Sequence, residues 1–131
     1  MLTRRGFVGC ALCALTGFSA TDAGAQTAGL KRTILNRTDG PTPGYETIEA
    51  KVEIPPDSVI ARRTHFGVES SYVIEGSIML DVQVVGPKTY SAGDGFQVPT
   101  GAPHGGKSGD KPSVLIGVYV VEKGKPLATP A

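Results

Sequence analysis

The sequence carries no excess of charge of either sign. Its 131 residues include 13 lysines and arginines against 12 aspartates and glutamates, a formal net charge of +1 at pH 7. Surfaces that bind nucleic acids or anionic membranes need a clear basic excess, and the charged residues here are spread singly along the chain. The composition therefore argues against a nucleic-acid partner.

Cysteine is also scarce. The chain has two cysteines, Cys10 and Cys13, and both lie in an apolar N-terminal segment. Their C-x-x-C spacing is that of redox and zinc pairs, but an apolar run is the wrong context for either kind of site. The rest of the chain is free of cysteine, so we expect its stability to come from an apolar core rather than from disulfide bonds.

A long hydrophobic run is absent as well. As a helix, the uncharged stretch Val8–Ala20 would span roughly 20 Å, too short for a hydrocarbon core about 30 Å thick. It follows Arg4 and Arg5 and precedes small residues that end at Ala25, which is typical of a cleaved export signal. We therefore predict a signal peptide over residues 1–25, cleavage after Ala25, no membrane anchor, and a periplasmic or secreted mature protein.

The first residues also resemble a twin-arginine export signal, in which paired arginines precede a phenylalanine and an apolar residue. Here Arg4 and Arg5 precede Phe7 and Val8. Glycine, threonine and serine dilute the apolar run that follows, which favours the twin-arginine route. An ordinary secretory signal with two adjacent arginines is the alternative.

Residues 26–131 lack a sustained helical period and instead show alternation with a period of two. In Thr47–Ile54 apolar and polar residues alternate strictly, which places one face of a strand on a core. With 18 glycines and 10 prolines for turns, the chain predicts a single all-β domain of eight to ten short strands. The predicted strands are 31–37, 47–54, 58–66, 69–75, 77–85, 88–91, 96–98 and 113–121, the last buried on both faces, with turns at Gly86–Pro87 and Gly105–Gly106 and loose ends at 26–30 and 124–131.

Two segments carry the residues with chemical potential. Segment 63–76 contains His65 and Glu69, and segment 93–108 contains His104 after a proline-rich turn. Their spacing resembles the two motifs of the cupin superfamily. The first motif is His-x-His, three or four residues, Glu, six residues and Gly; the second is Gly, five residues, Pro-x-Gly, two residues, His, three residues and Asn. The resemblance implies that residues 26–131 form one cupin-type jelly-roll barrel of two antiparallel sheets.

The sequence departs from the cupin motifs at two positions. Arg63 stands where the first histidine is expected, and Ser108 stands at the closing asparagine position. A guanidinium group keeps its proton and has no lone pair for a metal. His65, Glu69 and His104 then remain as a two-histidine, one-carboxylate set for a divalent ion (Fe, Mn, Ni, Cu or Zn), with coordination positions open for a substrate.

Three interpretations of this pocket are open. In the first, His65, Glu69 and His104 bind the metal and Arg63 binds an anionic group of the substrate. In the second, Arg63 neutralises Glu69 in a metal-free pocket, because a buried carboxylate needs a cationic partner. In the third, Arg63 turns outwards.

Two functions correspond to these interpretations. One is a metal-dependent exported enzyme that resembles cupin dioxygenases or isomerases and acts on a small organic molecule in the barrel. The other is a non-catalytic ligand-binding or sensory cupin with a degenerate, metal-free site. Whether the protein has turnover does not follow from the sequence. Small cupins often pair through an outer sheet, so we also expect a homodimer.

Overall fold

The computed structural model describes residues 29–131 of the chain. The regular structure of these residues is β-strand throughout, which confirms the predicted all-β class. The predicted signal peptide, its cleavage site and both cysteines lie outside the described residues. Within the described range, no helix is long and apolar enough to cross a membrane.

Ten strands follow one another along the described chain and form two antiparallel sheets. The first sheet has the order β1-β2-β9-β4-β7, and the second has the order β10-β3-β8-β5-β6. This is the predicted jelly-roll arrangement. The strands are β1 (Lys31–Asp39), β2 (Tyr45–Ile54), β3 (Val59–Thr64), β4 (Gly67–Glu75), β5 (Ser77–Val82), β6 (Gly86–Ser91), β7 (Gly95–Val98), β8 (His104–Ser108), β9 (Ser113–Glu122) and β10 (Thr129–Pro130).

The apolar core lies between the sheets and divides into two clusters. The period-2 alternation of β2 is borne out, because Ile48, Ala50, Val52 and Ile54 are buried. The smaller cluster consists of Ile48, Ala50, Tyr119 and Val121, with Leu127 packed against it. The larger cluster comprises Val52, Ile54, Ile60, Val73, Ile78, Leu80, Val82, Tyr90, Phe96, Val98, Ala102 and Leu115, with Leu30 packed against it.

Two predicted turns are strand residues. Gly105–Gly106 lies within β8, where a Cβ on Gly106 would come within 1.9 Å of a backbone oxygen of β5. Glycine is therefore needed for close strand approach rather than for a turn. Gly86–Pro87 opens β6, and the chain turns earlier, at residues 83–85. The strand predicted over 77–85 therefore ends at Val82, and Val84 is 71% exposed.

The predictions for the last part of the chain need two corrections. The segment 124–131 is not loose, because Thr129–Pro130 forms β10 and pairs with the end of β3. Strand β9 is central in its sheet, but only its inward side chains are buried, and the outward ones are half-buried. Its apolar outer face belongs to the sheet's outer surface, so the predicted burial on both faces is wrong.

Candidate metal centre

The three predicted ligands come from three parts of the chain and converge inside the barrel. His65 directly follows β3, Glu69 lies in β4, and His104 begins β8. All three are buried, and His104 is completely inaccessible. One ligand atom from each residue lies within 4.8 Å of the others, so the three side chains can hold one metal ion.

Backbone carbonyls fix the orientation of both imidazole rings. The Nδ1 atom of His65 lies 2.5 Å from the Leu127 carbonyl oxygen, and Nδ1 of His104 lies 2.9 Å from that of Ala102. Because a carbonyl oxygen only accepts hydrogen bonds, each Nδ1 must carry the hydrogen. The Nε2 atom of each ring is left to face the centre of the site, as is usual for metal-binding histidines.

Both Nε2 atoms face the same carboxylate oxygen. Oε2 of Glu69 lies 2.9 Å from Nε2 of His65 and 3.5 Å from Nε2 of His104. The longer contact is no satisfactory hydrogen bond, and this buried nitrogen of His104 has no other partner. If both rings are neutral, each Nε2 atom directs a lone pair at the negatively charged oxygen of Glu69, and this arrangement is repulsive. A cation must offset this arrangement, either a metal ion or protons on the imidazoles. The donor set and the orphaned nitrogen therefore fit a divalent metal.

Glu69 is held in its ionised form. Its other oxygen, Oε1, accepts a hydrogen bond of 2.7 Å from the Ser71 hydroxyl. Burial raises the pKa of the Glu69 carboxyl. The close imidazoles of His104 and His65 and the positive charge of Arg63 outweigh that effect, so this pKa lies well below its usual value. The ionised carboxylate is the form that binds a metal.

Arg63 points into the barrel but does not pair with Glu69. Its side chain is 7% exposed, which contradicts the outward-turned alternative. One guanidinium nitrogen donates to the Ala61 carbonyl at 3.2 Å, and Nε is buried without a partner. Among the described residues, the ion-pair partners of Glu69 are His65 and His104. The predicted Arg63–Glu69 pair is therefore not formed.

Ser108, the second departure from the motif, has a structural role. Its hydroxyl oxygen accepts a hydrogen bond of 2.8 Å from the backbone N–H of Ser58 and donates one of 2.6 Å to the Pro55 carbonyl. These bonds tie the turn between β2 and β3 to the end of β8.

Sequence reasoning missed the neighbours of the site. Tyr119 packs in the smaller core cluster, and its ring also lies 5.1 Å from that of His65, edge to face. Burial raises the pKa of its hydroxyl. Tyr119 is the cross-strand partner of Glu69, so a correct pairing of β9 with β4 would have placed it here. Leu127 was missed because it lies in the segment predicted to be loose.

The fold and the site define a small jelly-roll barrel with a candidate two-histidine, one-carboxylate centre. The sequence model of the cupin domain family, type 2, matches residues 50–121, more than half of the chain. The chain therefore belongs to the cupin family. Comparison with curated proteins gives no match.

Several solved structures have a similar fold, and one of them is described as a cupin. An RmlC-like cupin from Shewanella frigidimarina is 25% identical, with a TM-score of 0.58 over 79% of this chain and 83% of that one. The polyketide cyclase RemF from Streptomyces resistomycificus is 21% identical, with a TM-score of 0.64 over 83% and 75%. KdgF from a Halomonas species is 20% identical, with a TM-score of 0.59 over 74% and 83%.

Proposed function

We propose that this chain is an exported cupin that binds a divalent metal through His65, Glu69 and His104 and a small organic molecule beside it. One observation carries the proposal. Both Nδ1 atoms are engaged by backbone carbonyls, while both Nε2 atoms converge on a single Glu69 oxygen. Two imidazole nitrogens and a carboxylate oxygen form a recurrent metal-binding set that leaves coordination positions open.

The proposed activity is metal-dependent conversion of the small molecule, of the dioxygenase or isomerase kind. A bound metal would supply a Lewis acid that polarises a substrate oxygen, and Fe, Mn, Ni, Cu and Zn are the candidates. The chain's own residues hold the ligands in place: Ser71 orients the Glu69 carboxylate, and carbonyls orient both histidines. Arg63 has a free guanidinium N–H with which to position an anionic substrate group.

A non-catalytic binding cupin is the second candidate. Arg63 replaces the first motif histidine, and the three ligand side chains are almost inaccessible, which favours retention of a ligand over rapid exchange. In this case protons on His65 and His104 would offset the Glu69 charge in place of a metal.

Elemental analysis of the exported protein, combined with calorimetric titration of Mn(II) and Zn(II), tests the two candidates. We expect about one metal ion per chain, and loss of binding when His65 and His104 are both replaced by Gln. Absence of metal, with no binding of either ion, would refute the proposed centre. An organic molecule extracted from such metal-free protein would support the binding cupin.

Export through the twin-arginine route is part of the proposal. Its basis is the pair Arg4 and Arg5 ahead of a short, weakly apolar run. Replacement of both arginines by lysine should block export, and mass spectrometry of the exported protein should find Gln26 at the N terminus. Unimpaired export would argue for the general secretory route.

We also propose that two copies associate through the outer face of the first sheet. Val68, Tyr72 and Ile74 are 38%, 52% and 44% exposed on the outer face of β4, next to the half-buried outer face of β9. Light scattering should find a dimer, and Tyr72→Lys should convert it to a monomer. A monomeric wild type would refute this association.

A further inference from the structure

Unpartnered polar atoms gather at the end of the barrel that holds the candidate metal centre. Among residues 29–131, four buried side-chain polar atoms have no hydrogen-bond partner, although buried polar groups are normally paired. They come from four different strands. The atoms are Nε of Arg32 in β1, Nε of Arg63 in β3, Nε2 of His104 in β8 and Oγ1 of Thr129 in β10.

Three of these four residues adjoin one group of rings. Arg63 pairs across the sheet with His104, whose ring lies 4.8 Å from that of His65. Thr129 pairs with Thr64, so its side chain lies on the face of the sheet opposite to that of Arg63. Arg32 belongs to the opposite sheet, and its guanidinium carbon lies 5.9 Å from the centre of the Tyr119 ring. That ring in turn contacts His65. Arg32 from the first sheet and Arg63 from the second therefore both adjoin this group of rings.

The chemistry of these atoms indicates which kind of ligand would satisfy them. Nε2 of His104 is accounted for by the metal of the proposed function. The Nε atoms of Arg32 and Arg63 are guanidinium N–H donors. Arginine is always charged, and its planar fork matches the two oxygens of a carboxylate. A ligand that satisfies this set must offer at least two acceptor oxygens and negative charge.

We propose that an organic carboxylate binds at this end of the barrel between Arg32 and Arg63, beside the candidate metal centre. The position next to the metal rests on the proposed function; the carboxylate site itself rests on the unpartnered donors.

A positively charged groove adjoins Arg32. It has a volume of about 310 Å³, and its lining includes Arg32, Arg37, Glu46 and Lys125, with Leu127 from the segment that contacts His65. Arg37 is neutralised by Glu46 at 3.5 Å, so the groove keeps a positive excess from Arg32 and Lys125. Clefts lined by charge of one sign concentrate ligands of the opposite sign. The groove therefore favours entry of an anion.

Calorimetric titration of the purified exported protein with acetate, malonate, succinate and benzoate tests the proposal. The corresponding neutral amides are the first control, because they keep the size of each acid and lack its charge. Metal is removed beforehand, so that binding of the carboxylate to a metal does not contribute. We expect at least one acid to bind and its amide to bind at least about tenfold more weakly.

Arginine variants localise the binding. Arg32→Gln and Arg63→Gln should each weaken binding of that acid at least about tenfold. Arg62→Gln is the matched control and should leave it unchanged, since Arg62 is 41% exposed beside Asp81. Arg63→Lys keeps the charge without the fork and should give an intermediate loss if Arg63→Gln fails to fold.

The outcomes separate this proposal from the metal proposal. Failure of all four acids to bind, equal binding of acid and amide, or equal effects of the buried and exposed arginine variants would overturn the carboxylate site, because water would then satisfy the buried donors. Binding of an acid by protein that takes up no Mn(II) or Zn(II) would keep the carboxylate site and refute the metal centre. Metal uptake without acid binding would support the metal centre and refute the carboxylate site.

Discussion

Replacement of Glu69 by glutamine removes one charge from the candidate centre and nearly preserves its shape. In the wild type, Oε2 of Glu69 faces two imidazole nitrogens, and Oε1 accepts a hydrogen bond from Ser71. Changes confined to groups that only orient a metal ligand cost about 10–100-fold in affinity. Loss of a ligand and its charge should therefore weaken Zn(II) binding by more than about 100-fold. Ser71→Ala, which removes only the orienting bond, should stay within the 10–100-fold range.

The same variant has a second readout without metal. If protonated His65 and His104 offset the carboxylate, Glu69→Gln leaves buried positive charge unpaired. Removing one partner of a buried pair costs about 3–5 kcal/mol. For a domain of this size the melting temperature should then fall on the order of 10 °C or more. Calorimetric titration and thermal melts measure both effects. Wild-type Zn(II) affinity together with an unchanged melt of the metal-free variant would refute the assignment of Glu69.

Three further changes test the surroundings of the centre. Arg63→His should add a ligand and remove a repulsive charge, so Zn(II) affinity measured by calorimetry should rise at least about tenfold. The melting temperature of the metal-free variant should not fall, because Glu69 keeps its histidine partners and no buried ion pair is broken. Deletion of residues 126–131 removes the carbonyl that orients His65, and should lower Zn(II) affinity about 10–100-fold in the same titration. Gly106→Ala places a Cβ 1.9 Å from a backbone oxygen and should cost about 1–3 kcal/mol or more in denaturant unfolding, whereas Gly95→Ala, with its nearest contact at 3.4 Å, should cost far less.

The parts of the fold that depend on local pattern were predictable. The strict alternation in 47–54 and the turn residues that follow it placed β2 correctly, because a half-buried strand imposes a period of two. The spacing within the two motifs selected His65, Glu69 and His104, and the structure brings these residues together. Short-range periodicity thus predicted the fold class, and motif spacing predicted the three candidate ligands.

The predictions were wrong where contacts between strands that are distant in sequence determine the local structure. Gly105–Gly106 has the composition of a turn, but its backbone must approach β3 and β5 too closely for larger side chains. Arg32 was not predicted as a site residue, because nothing in its own strand indicates that its guanidinium lies 5.9 Å from the centre of the Tyr119 ring. Neither fact is encoded within a window of ten residues.

The C-terminal segment shows most clearly why local sequence was insufficient. Its proline, glycine and threonine residues are typical of a loose end, yet the Leu127 carbonyl holds the ring of His65 from a distance of 62 residues along the chain. Leu127 also packs on the smaller core cluster, and Thr129 pairs with Thr64 just before that histidine. The orientation of a candidate metal ligand is therefore set by backbone that supplies no ligand. Because docking of this segment and orientation of His65 are one event, metal binding and order at the C terminus should be thermodynamically linked, and each should stabilise the other.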